Sequence, residues 1–283
     1  MDIILYNPLS RNGKSNKFVL RVQKKLSQDG TNVKIQNLLE IVDIKDFIDS
    51  ANKKDRFIIV GGDGTINNIA NQIKDLEFEQ EIYLLKAGTG NDFARSIKAK
   101  KNLVPIKKYL YNLPTIKFKD EENVILNGAG LGLDGMIAHK VNESSKTKSR
   151  KNYFINSLKS FINYKPFKSE VIVNGEKITT EKTWSIAAMN SKYLGGGMKI
   201  APKAKRTEND LDIVIIRKLP KFLLFLIFPT IYLGLHVIFK RYVKIIKTNE
   251  ATIKISTPTY LQIDGEDYSN ITEMHVSTQS KDD

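Results

Sequence analysis

The sequence predicts a mixed fold, an N-terminal α/β domain followed by a β-rich domain. Three observations lead there. Strand-like and helix-like runs alternate through the first hundred residues, which argues for a parallel sheet with right-handed crossovers. Glycine clusters fall just after the strand-like runs, where ligands bind in such sheets. Beyond about residue 114 short β-like runs take over. The expected units are residues 1–114 and 115–269.

The strand-like runs of the first unit are Asp2–Tyr6, Asn32–Gln36, Arg56–Val60 and Glu81–Leu85, with helix-like runs near Lys17–Ser27, Ile44–Ala51 and Ile66–Ile73. The second unit offers Thr115–Lys119, Asn123–Asn127, Glu170–Val173, Lys177–Thr180, Thr183–Met189, Leu211–Arg217, Ala251–Ser256 and Tyr260–Ile263. Asn174-Gly175 lies between two of these runs and signals a type I′ hairpin. A helical stretch over about Asn152–Asn163 interrupts the strands.

The bulk numbers describe a globular protein. The chain has 283 residues, 41% of them hydrophobic and 27% charged, which allows a sizeable core. It contains no cysteine, so disulfides, thiolate catalysis and cysteine metal sites are excluded. The formal net charge is +14, which favours anionic partners. Basic residues cluster at Lys98–Lys101, Lys146–Lys151 and Lys199–Arg206. A recognition helix or an aromatic-basic motif is missing, so nucleic acid is not an expected partner. The chain opens on a strand-like run rather than a secretory signal, and the expected location is cytoplasmic, peripheral to the inner face of the membrane.

Residues Phe222 to Phe239 read FLLFLIFPTIYLGLHVIF, eighteen residues without a formal charge. That length approaches a membrane span, but Pro229, Gly234 and His236 interrupt it. Lys218 and Lys221 precede it, and Lys240, Arg241, Lys244 and Lys247 follow. A helix–Pro–helix lying in the bilayer interface is one reading. Two helices packed into the protein's own core is the other.

Several motifs carry chemistry. The opening ILYNPLSRNGKS (Ile4–Ser15) ends like a P-loop, but its first glycine position holds Pro8, which lacks an N–H for a phosphate. Asn7, Ser10, Arg11, Asn12 and Lys14 remain available to an anion. VGGDGTINNIAN (Val60–Asn71) follows a strand and opens a helix. Its glycines admit close backbone approach, and the helix N-terminus favours phosphate. Asp63 would repel phosphate unless Mg²⁺ lay between them. AGTGNDFARSI (Ala87–Ile97) repeats the logic, with Asp92 either a helix-capping acid or half of a carboxylate pair with Asp63. Gly130 to Gly135 form a formal G-x-G-x-x-G, but no acid stands about twenty residues on; a close-packed interdomain turn is the better reading. LQIDGEDY (Leu261–Tyr268) by itself reads as a hairpin turn with surface acids.

Taken together, NPLSRNGKS, GGDGTINN, GTGNDFAR, APKAKRTENDLDIVII and IDGE resemble the diacylglycerol kinase catalytic-domain family of lipid kinases, from about Asn7 to Glu266. GGDGT is shared with NAD kinases and 6-phosphofructokinases; the other motifs point to the lipid-kinase branch. The resemblance implies a NAD kinase/diacylglycerol kinase-like fold: a Rossmann-like parallel α/β domain and a C-terminal β-sandwich, with ATP between them. It also implies that the tail, about 270–283, returns to the first domain.

Carried over residue by residue, the resemblance places ATP against Asn7, Ser10 and Arg11, against Gly61, Gly62, Asp63, Gly64, Thr65, Ile66 and Asn67, and against Gly88, Thr89 and Asn91. Asp63 and Asp92 would join the magnesium and phosphate network. Glu266 would be the general base for a lipid hydroxyl. His139, His236 and His275 stand isolated in the sequence and compete poorly for that role. A structural magnesium is implied near Lys205–Asp212, held by Glu208 and by the carbonyls of Lys205 and Asp210. Glu208 and Asn209 depart from the aspartate and glycine of the family pattern there.

The expected function is therefore an ATP- and Mg²⁺-dependent lipid kinase, acting on diacylglycerol to give phosphatidic acid. Phosphoryl transfer relies on positioning and charge neutralisation, which these motifs supply. A sphingoid base or polyprenol acceptor, a soluble-substrate kinase such as NAD kinase, and a non-catalytic membrane-binding protein are the alternatives. The expected partners are the lipid substrate and an anionic membrane surface, met through 222–239 and the basic clusters, with a homodimer also open.

Overall fold

A computed structural model describes residues 1–9, 15–86, 91–143, 155, 159 and 162–278. The first half is a five-stranded sheet. Strands β1 (Asp2–Tyr6), β2 (Val33–Asn37), β3 (Arg56–Gly61) and β4 (Glu81–Lys86) run parallel, and β5 (Leu103–Pro105) closes the edge antiparallel, in the order β2-β1-β3-β4-β5. Phe57, Ile58, Ile59 and Val60 of β3 are all buried, as a central parallel strand covered on both faces requires. Helices α1 (Ser15–Leu26), α2 (Ile44–Ser50), α3 (Asp63–Ile73) and α4 (Asp92–Ser96) alternate with these strands. Asp43 caps α2 by accepting from Lys45 N–H and Asp46 N–H at 2.7 and 3.0 Å. The strand order reverses between β1 and β3, and a crevice at such a point is the ligand site of open α/β sheets.

The second half is a nine-stranded β structure, as expected from its short β runs. Its strands are β6 (Thr115–Phe118), β7 (Glu121–Val124), β8 (Gly128–Gly132), β9 (Phe167–Val173), β10 (Glu176–Met189), β11 (Leu211–Arg217), β12 (Val243–Thr248), β13 (Glu250–Ile263) and β14 (Glu266–Ser277). They pair in the order β12-β11-β10-β8-β13-β14-β6-β7, with β9 joining β10 and β13. Helices α5 (Leu133–Glu143) and α6 (Lys221–Ile227) are added to it. Asn174 and Gly175 have φ of 51° and 74°, the two positive values of the expected I′ turn.

Several boundaries differ from expectation for visible reasons. Lys177–Thr180 and Thr183–Met189 are one strand, β10, bent where its register shifts between Thr180 and Thr183. Ala251–Ser256 and Tyr260–Ile263 likewise merge into β13, whose register shifts between Lys254 and Thr259. Irregularities of this kind break the period-two pattern without ending the strand. Gly128–Gly132 is a strand at the centre of the second sheet, not an interdomain turn. Its glycines serve packing: a Cβ on Gly130 would lie 1.8 Å from Asp134 Oδ2, and one on Gly135 2.2 Å from Tyr260 O. Residues 270–277 continue β14 within the second sheet, paired with β13 and β6. Most of the helix expected over 152–163, the 146–151 cluster and residues 279–283 lie outside the described residues.

The segment 222–239 resolves into α6 and two 3-10 turns, Phe228–Leu233 and Leu235–Ile238, separated at Gly234 with φ 74°. Among the described residues no helix is long and apolar enough to cross a membrane. Leu224, Ile227, Phe228 and Ile231 point into the second core. Phe222, Leu226, Leu233 and Ile238 are each 65–69% exposed. One face of the segment is therefore core and the other is an apolar surface.

Candidate active site

The site forms where α3 of the first half meets the β13–β14 turn of the second, with α4 tied to α3 through Asp63. At the end of β3, Gly61 must be glycine: a Cβ there would lie 2.5 Å from Thr65 Cβ. Gly62 is the N-cap of α3, so the helix opens with N–H groups that lack intrahelical partners. Asp63, the first residue of α3, reaches across to the next turn. Its two carboxylate oxygens accept from Asp92 N–H and Phe93 N–H, each at 2.9 Å. It caps α4 from outside, and the enclosure pushes its carboxyl up despite those two donors.

Asp92 is buried. Arg95 Nη1 donates to its Oδ1 at 2.5 Å, and Gly196 N–H and Gly197 N–H donate to its Oδ2 at 2.8 and 3.2 Å. Burial first, and the nearby Asp63 charge second, push Asp92 up to about 6. Asn91 adopts the left-handed conformation, φ 52°, that turns the chain into α4.

Glu266 begins β14 and stands on the other side. Its Oε1 lies 3.8 Å from the position a Cβ would take on Gly64. The expected base therefore faces the first turn of α3. The structure places Asp63 against the first turn of α4 and Glu266 opposite Gly64. Asn7 sits at the end of β1, where it accepts from Leu9 N–H at 2.9 Å. Ser10, Arg11, Gly88 and Thr89 lie outside the described residues.

Two expected nucleotide contacts are occupied otherwise. Ile66 is buried and its N–H donates to Gly62 O at 3.2 Å. The Asn67 amide donates to Val124 O and Asp264 Oδ2, both at 3.0 Å, and its oxygen accepts from Asn71. Asn71 in turn accepts from Val124 N–H at 2.9 Å. The pair takes both backbone groups of Val124 and joins α3 to β7.

Sequence reasoning missed four participants. Asp264 is buried, not a surface acid. It accepts from Leu126 N–H and Asn127 N–H at 2.7 Å each, besides Asn67, and burial pushes it up to about 7. Arg206 closes a basic cluster expected to face an anionic surface, but it turns inward. It donates to Ser96 Oγ at 3.1 Å and Asn127 Oδ1 at 2.8 Å, and lies 4.8 Å over the Phe93 ring. Burial lowers it to about 10. Gly196 and Gly197 hold Asp92; their signal was the run Gly195-Gly196-Gly197, with φ of 65°, 80° and 109°.

The implied structural magnesium site does not fit. Glu208 Oε1 receives Lys205 Nζ at 2.6 Å, its Oε2 receives Lys247 Nζ, and Lys247 also meets Asp210 Oδ2 at 3.0 Å. The two lysines hold Glu208 down at about 2 and supply the positive charge that a cation would.

Two outcomes follow. The melting temperature of the nucleotide-free protein is expected to be the same with EDTA as with millimolar Mg²⁺; a fall of several degrees on chelation would restore a resident metal. Asp92 binds its proton more tightly folded than unfolded, so its contribution to stability falls as pH rises from 3.8 to about 6. Relative to wild type, Asp92→Asn should gain stability over that range in urea titrations; parallel curves would contradict the assignment.

Comparison with known proteins identifies the family. Residues 3–115 match the diacylglycerol kinase catalytic domain and residues 128–278 the YegS C-terminal NAD kinase beta sandwich-like domain. The protein named "Putative lipid kinase YtlR" of Bacillus subtilis is 29% identical over 186 residues, 59% of this chain and 60% of that protein. A diacylglycerol kinase of Mycobacterium tuberculosis is 26% identical over 251 residues, 82% of this chain and 78% of its own. The crystal structure titled "a putative diacylglycerol kinase" from Bacillus anthracis superposes with a TM-score of 0.70 at 19% identity, covering 99% of this chain and 94% of that one. With both of its halves matched, this chain belongs to the diacylglycerol kinase catalytic-domain family of lipid kinases.

Proposed function

We propose that this lipid kinase transfers the γ-phosphoryl group of MgATP to the hydroxyl of diacylglycerol, giving phosphatidic acid and ADP. The observation that carries the reading is the position of Glu266 over Gly64, opposite the open N-terminus of α3. Glycine-rich backbone and a helix N-terminus suit the triphosphate. A magnesium ion arriving with the nucleotide would be held by its phosphates and by one or two carboxylates of the cluster Asp63, Asp92 and Asp264. Bound there, magnesium would neutralise charge on the transferring group.

Glu266 accepts the proton of the lipid hydroxyl. The oxygen forms its bond to the γ-phosphorus as the bond to the β–γ bridging oxygen breaks, and ADP leaves with that electron pair. The proton on Glu266 passes to solvent. Asp63 and Asp92 act through position: they fix the two glycine turns against each other.

The lipid reaches this cleft from a membrane. The exposed apolar residues of 222–239 are rimmed by Lys218, Lys221, Lys240 and Arg241, the pairing that holds a surface segment in an anionic interface. The observed exposure favours a lipid acceptor over a soluble one such as NAD, and peripheral attachment at the inner face of the membrane.

Phosphate transfer from labelled ATP to a panel of diacylglycerol, sphingoid base and polyprenol in mixed micelles, with NAD alongside, tests the reading. Label should enter diacylglycerol, and Glu266→Gln should cut turnover at least 100-fold, on the order of a lost general base, while ATP binding persists. Wild-type turnover in that variant would remove Glu266 from the role, and label in NAD alone would reject the lipid. Charged substitutions at Phe222 and Leu226 should release the protein from anionic vesicles without lowering its melting temperature. Retained vesicle binding would place the membrane contact elsewhere.

A further inference from the structure

Helix α5 approaches the β13–β14 turn closely because Gly135 leaves room for the Tyr260 backbone. From its first turn, Asp134 Oδ2 accepts from Gln262 Nε2 at 3.0 Å, and Gln262 Oε1 accepts from Gly265 N–H at 3.0 Å. From its last turn, Asn142 Nδ2 donates to Gly265 O at 3.0 Å and to Asp267 Oδ1 at 2.6 Å. One turn earlier, His139 Nδ1 lies 2.7 Å from Asp267 Oδ2, with its ring stacked on Tyr260 at 4.2 Å between centroids.

The pattern is specific. Both backbone groups of Gly265 and both carboxylate oxygens of Asp267 are engaged, and these are the two neighbours of Glu266. The turn needs such support. Asp264 and Gly265 both have positive φ, 49° and 100°, and open space surrounds the position of a Gly265 Cβ. Packing does not hold this glycine; hydrogen bonds do.

We propose that α5 is a clamp on the catalytic turn, with Asn142 and His139 as positioning residues for Glu266. The inference rests on the reading of Glu266 as the general base and extends it to residues outside the nucleotide site. A base must stand within hydrogen-bond reach of the acceptor hydroxyl, and a misplacement of about 1 Å can cost about 100-fold in rate. Asp134 and Gln262 hold the turn from beneath. Asn142 and His139 hold it from the flank, and the Glu266 carboxylate is left to face Gly64.

The test uses the full chain. Asn142→Ala and His139→Ala should each lower kcat toward diacylglycerol about 10- to 100-fold, with the KM for ATP within twofold of wild type. His139→Asn, whose amide nitrogen stands near the place of Nδ1, should recover most of the loss. Hydrogen–deuterium exchange reads the clamp independently of activity. Amides of residues 262–268 should exchange faster in Asn142→Ala, while those of α3 and β4 keep wild-type rates. Should His139→Ala fail to fold, Asn142→Ala at the partly exposed end of the helix carries the same test. Faster exchange with unchanged kcat would overturn the positioning role, and unchanged exchange would overturn the clamp itself. A wild-type protein that phosphorylates no lipid would reject the proposed reaction, and the exchange data would still decide the clamp.

Discussion

The Asp264 carboxylate is the tie on which the arrangement of the two halves depends. It takes Leu126 N–H and Asn127 N–H from the strand connection of the second half and the Asn67 amide from α3 of the first. A buried carboxylate left without such donors carries a heavy desolvation penalty, so the three must be present together. Their joint demand sets the position of α3 against the β13–β14 turn. Glu266 lies two residues beyond Asp264, and its reach to Gly64 follows from that anchor.

Around this tie the protein concentrates charge. Asp63, Asp92 and Asp264 are drawn in with Arg206 and Arg95, and burial raises the acids and lowers Arg206. Buried ion pairs often add little net stability, because desolvation offsets the attraction. What they supply here is register. Each carboxylate oxygen of Asp63 has one backbone N–H to satisfy on α4, and Asp92 joins α4 to the glycine run of the second half. A shift of one element would strand a buried charge.

The segment 222–239 has two unlike faces. Its inward residues make it part of the second core, so it is anchored to the catalytic unit. Its outward residues form an apolar strip between basic flanks. The core reading of the sequence holds for the inner face, and the outer face is exposed. Pro229 and Gly234 break it into short turns that bend around the core.

The sequence by itself determined the succession of elements and the backbone chemistry of the nucleotide turns. Period and glycine placement are local properties, so β1 to β4, α3, the Asn174-Gly175 hairpin and the glycine turns at Gly61–Thr65 were legible. The order of the motifs also made the family legible. Only the tertiary structure decided what Asp264, Asn67 and Arg206 do, because their partners lie 197, 57 and 110 positions away along the chain. A turn acid, a helix asparagine and the last member of a basic cluster look alike whether they face solvent or a buried donor. Lys247 makes the same point. Strand pairing with β11 brings it beside Asp210 and Glu208, and no local pattern could show that an ammonium would occupy the ground of a metal.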